Sequence, residues 1–249
     1  MNYHIIDTEF NKKLSSAYQL SILAGMDSFV YTIQDSANQN TLLFRSYCFQ
    51  NPLPEKPNFS NEIGEIFSKD ELLSLLYRRV KVCLPFAPTV LVPGRLFNEK
   101  EKSTYIAALT DVCDANAIRT DELPELSLQV TYSINPTVFN ELKKQFPNGQ
   151  FYSPVSPFLL QCKQLKESSG GFGMFAHFHK DQLHLALFEK QSLVFFNSFQ
   201  YNFADDVLYF LLLAYDQFKL DTKTVGLKLS GQIIGDSEIY KLLFRHISN

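Results

Sequence analysis

An order of hydrophobic periodicities occurs twice in this chain, and a repeat of that kind leaves few folds open. In the first copy, Tyr18–Ala24, Ser28–Gln34 and Thr41–Phe49 alternate with a period of two, the second segment placing Phe29, Tyr31 and Ile33 on one face. The turn Gly25-Met26-Asp27 and the stretch Ser36–Asn40 separate them, which predicts a three-stranded meander. Beyond a Pro-rich connection, Asn51–Pro57, the run Ser68-Lys69-Asp70-Glu71 reads as a capping box ahead of Leu72, Leu73, Leu75 and Leu76, so a helix is predicted to begin there. Strands are predicted at Val80–Leu84 and Thr89–Val92, and a second helix from Asn98, with Glu101 at the box position.

The second copy follows the same order. Phe172–His179 and Gln182–Glu189 form a hairpin around Lys180-Asp181, Ser192–Phe199 adds a third strand, and Asn202 caps a helix carrying Val207, Leu208, Leu211, Leu212 and Tyr215. That helix, from about Phe203 to Phe218, is apolar around most of its circumference, which predicts a place between layers or at an interface. Thr224–Leu229 is then a strand, and Asp236 opens a last helix with Ile239, Leu242 and Leu243. Between the copies lie Leu126–Ile134, a helix from Pro136 behind Asn135, the turn Pro147-Asn148-Gly149, a helical stretch from Pro157 and the hinge-like Ser168-Ser169-Gly170-Gly171. The chain therefore divides into a first half, 1-125, a bridging segment, 126-171, and a second half, 172-249.

Three antiparallel strands, a helix, a strand and a helix form the ribonuclease-H-like unit, and its duplication is the architecture of actin, the sugar kinases and the heat-shock ATPases. An α/β class with mixed sheets is expected. Ile5-Ile6-Asp7 followed by Phe10, Leu20-Ser21-Ile22 running into Asp27-Ser28-Phe29, and Phe146-Pro147-Asn148 with Phe151-Tyr152 resemble the bacterial domain-of-unknown-function family 3822. The resemblance runs through almost the whole chain on core and turn residues that carry no chemistry of their own. It implies an actin-like ATPase fold with no established activity.

Active members of that superfamily bind phosphates on the turn between the first two strands of each half, using a metal-positioning acid and glycines that let backbone amides approach the oxygens. Here the first turn, Leu23–Ser28, offers Gly25, and its acid, Asp27, follows the glycine instead of preceding it. The second turn, Phe178–Gln182, has no glycine; Lys180 is a candidate phosphate partner or a solvated charge at a hairpin tip. Val225–Gly231 ends in Ser230-Gly231, as a base-binding loop would, although strands also end in Ser-Gly simply to turn.

Two sharper constellations remain. Ile6-Asp7-Thr8-Glu9-Phe10 resembles the first motif of proofreading-type exonucleases, in which an Asp and a Glu on one strand face hold two metal ions. That mechanism also needs further acids and a His or Tyr a turn before a last Asp, and His177 with Asp181 lies too close together on a hairpin to serve; the alternative is an exposed N-terminal edge segment. If Lys180-Asp181 is a two-residue turn, His177 faces His184 and His179 faces Gln182, putting three imidazoles on one face as candidate zinc ligands. A polar histidine face against a second layer is the plainer alternative.

Composition supplies exclusions. With 23 basic and 26 acidic residues the net charge is -3, so there is no positive field to grip nucleic acid. The longest apolar run, Val207–Ala214, is less than half of the roughly 20 residues needed to span a bilayer. Cys48, Cys83, Cys113 and Cys162 have no paired spacing and read as reduced, mostly buried residues. The expected protein is a cytoplasmic, non-hydrolysing scaffold or binding module for a protein or peptide partner, with neither cofactor nor metal. The alternative is a slow ATPase that binds ATP and magnesium in a cleft between the halves, near Gly25, Asp27, Lys180, Ser230 and Gly231.

Overall fold

The structure, a computed structural model, describes residues 3–25, 28–49, 58–107, 109, 117–166 and 171–247, with backbone alone for 58–61. They fall into two compact units, residues 1–157 and 158–249. The turn residues Met26 and Asp27, the Pro-rich connection, Cys113 and Ser168-Ser169-Gly170 lie outside the described residues.

In the first unit, β2 (Tyr18–Ala24), β3 (Ser28–Asp35) and β4 (Thr41–Cys48) form the meander, and β5 (Arg79–Cys83) pairs parallel with β2. β1 (Tyr3–Ile6) and β9 (Gln150–Tyr152) extend the sheet at its edges, giving the order β1-β4-β3-β2-β5-β9. Period-two alternation puts Leu20, Ile22, Phe29, Tyr31 and Ile33 in the core. A separate antiparallel sheet, β6 (Thr89–Pro93), β8 (Leu128–Ser133) and β7 (Ile118–Leu123), has the order β6-β8-β7. β7 and β9 carry too little alternation to be read from sequence: β7 includes the polar run Arg119-Thr120-Asp121-Glu122.

In the second unit, β10 (Phe172–His179), β11 (Gln182–Glu189) and β12 (Ser192–Gln200) repeat the meander, and β13 (Leu227–Gly231) pairs parallel with β10. The order β12-β11-β10-β13 is that of β4-β3-β2-β5, so the duplicated ribonuclease-H-like topology is present in both units. Met174, Ala176, Phe178, Leu183, Leu185 and Leu187 bury one face against Val207, Leu211, Ala214 and Tyr215 of α5 (Ala204–Gln217) and Leu243 of α6 (Glu238–His246). Each of the Met, Phe, Leu and Val side chains among them contributes roughly 1.5–3 kcal/mol of transfer free energy. The opposite face is covered as well: Phe175, Ala186 and Phe188 are buried, with the two rings 5.9 Å apart.

Several boundaries differ from expectation. α1 (Asn58–Lys69) ends where a helix was predicted to start, and a single 3-10 turn follows at Glu71–Ser74. The Ser68 hydroxyl donates to the Glu65 carbonyl, and the acceptor at the turn is Asp70, which takes the Leu72 N–H. Asp70 therefore acts as a cap, though of a single turn. Asn98 does accept from Lys100 N–H ahead of α2 (Lys102–Ala107), and Asn135 accepts from Thr137 and Val138 N–H at the start of α3 (Pro136–Gln145). α4 (Val155–Lys166) contains Pro157 in its first turn.

At α5 the N-cap is Phe203 rather than Asn202: the Asp206 carboxylate accepts N–H bonds from both. β13 starts three residues late because the Asp221 carbonyl and carboxylate turn the chain through Lys223, Thr224 and Val225. Ser237, not Asp236, caps α6. α5, expected between layers or at an interface, packs one face on the sheet, while on another Tyr209 is 61% and Leu213 45% exposed. Cys162 is buried and Cys83 half-buried, whereas Cys48 is exposed at the end of β4.

Candidate functional site

β10 carries the hairpin tip, and β13 lies directly beside it. The register places His177 opposite His184 and His179 opposite Gln182, and pairs His177 with Ser230 and Phe178 with Gly231. Lys180, the three histidines, Ser230 and Gly231 thus gather at one end of the second sheet. Gly25 belongs to the first unit, where its N–H closes the β2–β3 turn on the Ser28 carbonyl at 2.8 Å.

The tip is tied down by its own sheet. Lys180 adopts φ 53°, as the two-residue turn requires. Its N–H donates to Gln232 Oε1 at 2.8 Å, and its carbonyl accepts from the Tyr201 hydroxyl at 2.5 Å. Asp181 Oδ2 accepts from Gln200 Nε2 at 3.1 Å. Gly231 has φ 86°, and a Cβ there would lie 2.1 Å from the Phe178 carbonyl oxygen. Backbone contact between β13 and β10 therefore requires the glycine, with or without a ligand. Gln232 and Tyr201 carry no motif; only the register brings them to the tip.

Two of the histidines are held in side-chain pairs. His184 Nδ1 lies 2.7 Å from Ser198 Oγ and His177 Nδ1 3.0 Å from Ser230 Oγ, with the two rings 6.1 Å apart. Phe158 on α4 packs at 5.4 Å from His177. Burial lowers the His184 pKa to about 3, helped by repulsion from His177 and His179, and lowers that of His177 to about 4, helped by His179. Among the described residues no group of three His, Cys, Asp or Glu side chains is arranged to hold a metal ion. Asp7 and Glu9 do not share a strand face. β1 stops at Ile6, and Asp7 Oδ1 accepts the Glu9 N–H in a local turn, so the exonuclease-like motif is an exposed edge segment.

Two buried carboxylates escaped sequence reasoning. Asp70, 3% exposed, accepts the Tyr31 hydroxyl at 2.5 Å, the Tyr47 hydroxyl at 2.7 Å and Arg45 Nη1 at 2.7 Å. Burial pushes this carboxyl up, but the tyrosine and arginine hydrogen bonds and the Arg45 charge outweigh it and hold the pKa below the ordinary value. Asp121 on β7 accepts the Tyr132 hydroxyl, the Ser153 N–H and the Ser156 hydroxyl. No cation among the described residues pairs with it, so burial prevails and its pKa is raised. Partners 23 to 39 residues from Asp70 and 11 to 35 from Asp121 leave no local pattern. Both carboxylates lock elements together.

The two equivalent four-strand orders, each with its parallel fourth strand, define a protein of the actin-like ATPase fold. Solved structures agree. The chain is similar to a Bacteroides thetaiotaomicron VPI-5482 protein with an actin-like ATPase fold and unknown function, at 21% identity and TM-score 0.80, covering 96% of this chain and 91% of that one. It is also similar to a chain of the PilM-PilN type IV pilus biogenesis complex, at 12% identity and TM-score 0.57, with 92% and 85% covered. The chain belongs to the family described as protein of unknown function (DUF3822), whose model matches residues 7–249. No curated protein matches it significantly in sequence.

Proposed function

We propose that this protein is a non-hydrolysing binding module of the actin-like ATPase fold, which works in the cytoplasm to hold a protein or peptide partner rather than nucleic acid. The observation that carries the reading is the tip of the β10–β11 hairpin. Its Lys180 N–H, the kind of group that would meet a phosphate oxygen in an active relative, already donates to Gln232, and the adjoining carbonyl is held by Tyr201. Phosphoryl transfer depends almost entirely on preorganised donors and metal-positioning acids, and removing one such donor costs on the order of a hundredfold to a thousandfold in rate. The glycine-free second turn and the displaced acid of the first therefore point away from turnover. A neighbour on the same fold comes from a protein–protein assembly, the PilM-PilN complex, which is the kind of role assigned here.

Phosphate release from purified protein with magnesium and ATP tests this reading; the expected rate lies far below the usual enzyme range of about 1 to 1000 per second. A thermal shift with the same ligands reports binding without turnover, since saturation at a hundred times Kd adds about 2.7 kcal/mol. Release near one per second that Asp27→Ala abolishes would overturn the proposal in favour of an ATPase.

A further inference from the structure

α5 is wrapped in apolar side chains, yet the second unit covers only one of its faces. Val207, Leu211, Ala214 and Tyr215 are buried, while Tyr209, Leu212 and Leu213 are 61%, 36% and 45% exposed. At 100° per residue, positions 205, 209, 212, 213 and 216 fall within an arc of about 100°. The exposed stripe is thus a line Asp205-Tyr209-Leu212-Leu213-Asp216, apolar in the middle and acidic at both ends, and both aspartates are exposed. The helix carries three aspartates and no basic residue. Asp205 suits the positive helix N-terminus, but Asp216 in the last turn works against the dipole, so helix stability does not explain it.

We propose that this stripe is a docking surface for an amphipathic helix of a partner protein that bears an apolar stripe between two basic residues. From 205 to 216 the acids lie about 16 Å apart along the axis at about 1.5 Å per residue. A helix laid along α5 matches them with Lys or Arg at positions i and i+11 and Leu-like residues at i+4, i+7 and i+8. Charge selects this occupant. A second copy of the chain, parallel or antiparallel, sets aspartate against aspartate, and an anionic lipid surface meets the same repulsion. The surface names a partner class for the binding module proposed above, and none of its residues belongs to the turns on which ATP chemistry depends.

The chain has no tryptophan, so a Trp-labelled peptide can be followed selectively by fluorescence anisotropy. The probes are two designed helical peptides with Leu at i+4, i+7 and i+8, one with Lys and one with Glu at i and i+11. The Lys peptide is expected to bind at least tenfold more tightly than the Glu peptide. Leu213→Asp should weaken it tenfold or more with an unchanged circular dichroism melt, and the double variant Asp205→Lys/Asp216→Lys should invert the ranking. Equal or absent binding of the two peptides, or a ranking that survives the charge reversal, overturns the proposal. So does a dimer in sedimentation that Leu213→Asp dissolves, because a second copy then covers the stripe. Phosphate release probes only the nucleotide loops, so the two proposals fail separately.

Discussion

The two repeats share a strand order and differ in what holds each together. In the first unit, Asp70 gathers β3, β4 and the turn after α1 through Tyr31, Tyr47, Arg45 and Leu72, and Asp121 gathers β7, β8 and the start of α4 through Tyr132, Ser153 and Ser156. In the second unit, the layer between sheet and helices is a continuous apolar cluster, and on the other face of the sheet burial keeps His177 and His184 neutral. One topology therefore tolerates two kinds of filling. The meanders follow from periodicity and turn length, whereas the choice between a carboxylate knot and an apolar layer depends on which side chains the pairing brings together.

The largest expected effect tests whether the first unit really leans on charge. Arg45→Met removes the cation facing a carboxylate that is 3% exposed, and removing one partner of a buried pair costs about 3 to 5 kcal/mol. Urea unfolding at pH 7 should show that loss, and it should shrink toward pH 4, because without the guanidinium burial raises the Asp70 pKa and the variant's carboxyl takes up a proton. A cost below about 1 kcal/mol that ignores pH would mean that the tyrosine hydroxyls suffice.

Leu211→Ala is the apolar counterpart in the second unit. Leu211 is fully buried, so the substitution should cost about 2 to 5 kcal/mol, and the same amount at both pH values. A pH-dependent loss would erase the contrast between the units.

The smallest effect is read by its sign. Asp70 has a lowered pKa, so its contribution is in place above the unfolded value of about 3.9 and is lost as pH falls through its folded value. Asp121 has a raised pKa, so its contribution is in place below about 3.9 and is lost as pH rises through its folded value. From pH 3 to pH 7 the stability of the native protein relative to Asp70→Asn should therefore rise, and relative to Asp121→Asn it should fall. Parallel slopes in the two difference curves would show that the carboxylates are not distinguished by the presence of Arg45.

Periodicity made both meanders legible to within a residue or two, because a sheet face shared by Phe29, Tyr31 and Ile33, or by Leu183, Leu185 and Leu187, admits one register. The cross-strand pairing of His177 with His184 followed from the two-residue turn alone. Helix starts were less secure: Ser68 through Glu71 satisfies the local rule, but Ser68 lies inside α1, where its hydroxyl donates to the Glu65 carbonyl, and Asp70 caps a single 3-10 turn. The candidate site was legible as a set of positions, Lys180, Ser230 and Gly231, and illegible as chemistry, because Gln232 and Tyr201 close the tip through contacts that only strand pairing creates.

By itself, the sequence determined the two meanders, their turns and the faces of their sheets, since each depends on residues within a few positions of one another. Tertiary structure alone decided that β7 exists beside β8, that two aspartates are buried with opposite consequences for their protons, and that one face of α5 stays uncovered. Burial and ionisation depend on the summed surroundings of a side chain, and those surroundings come from segments tens of residues apart.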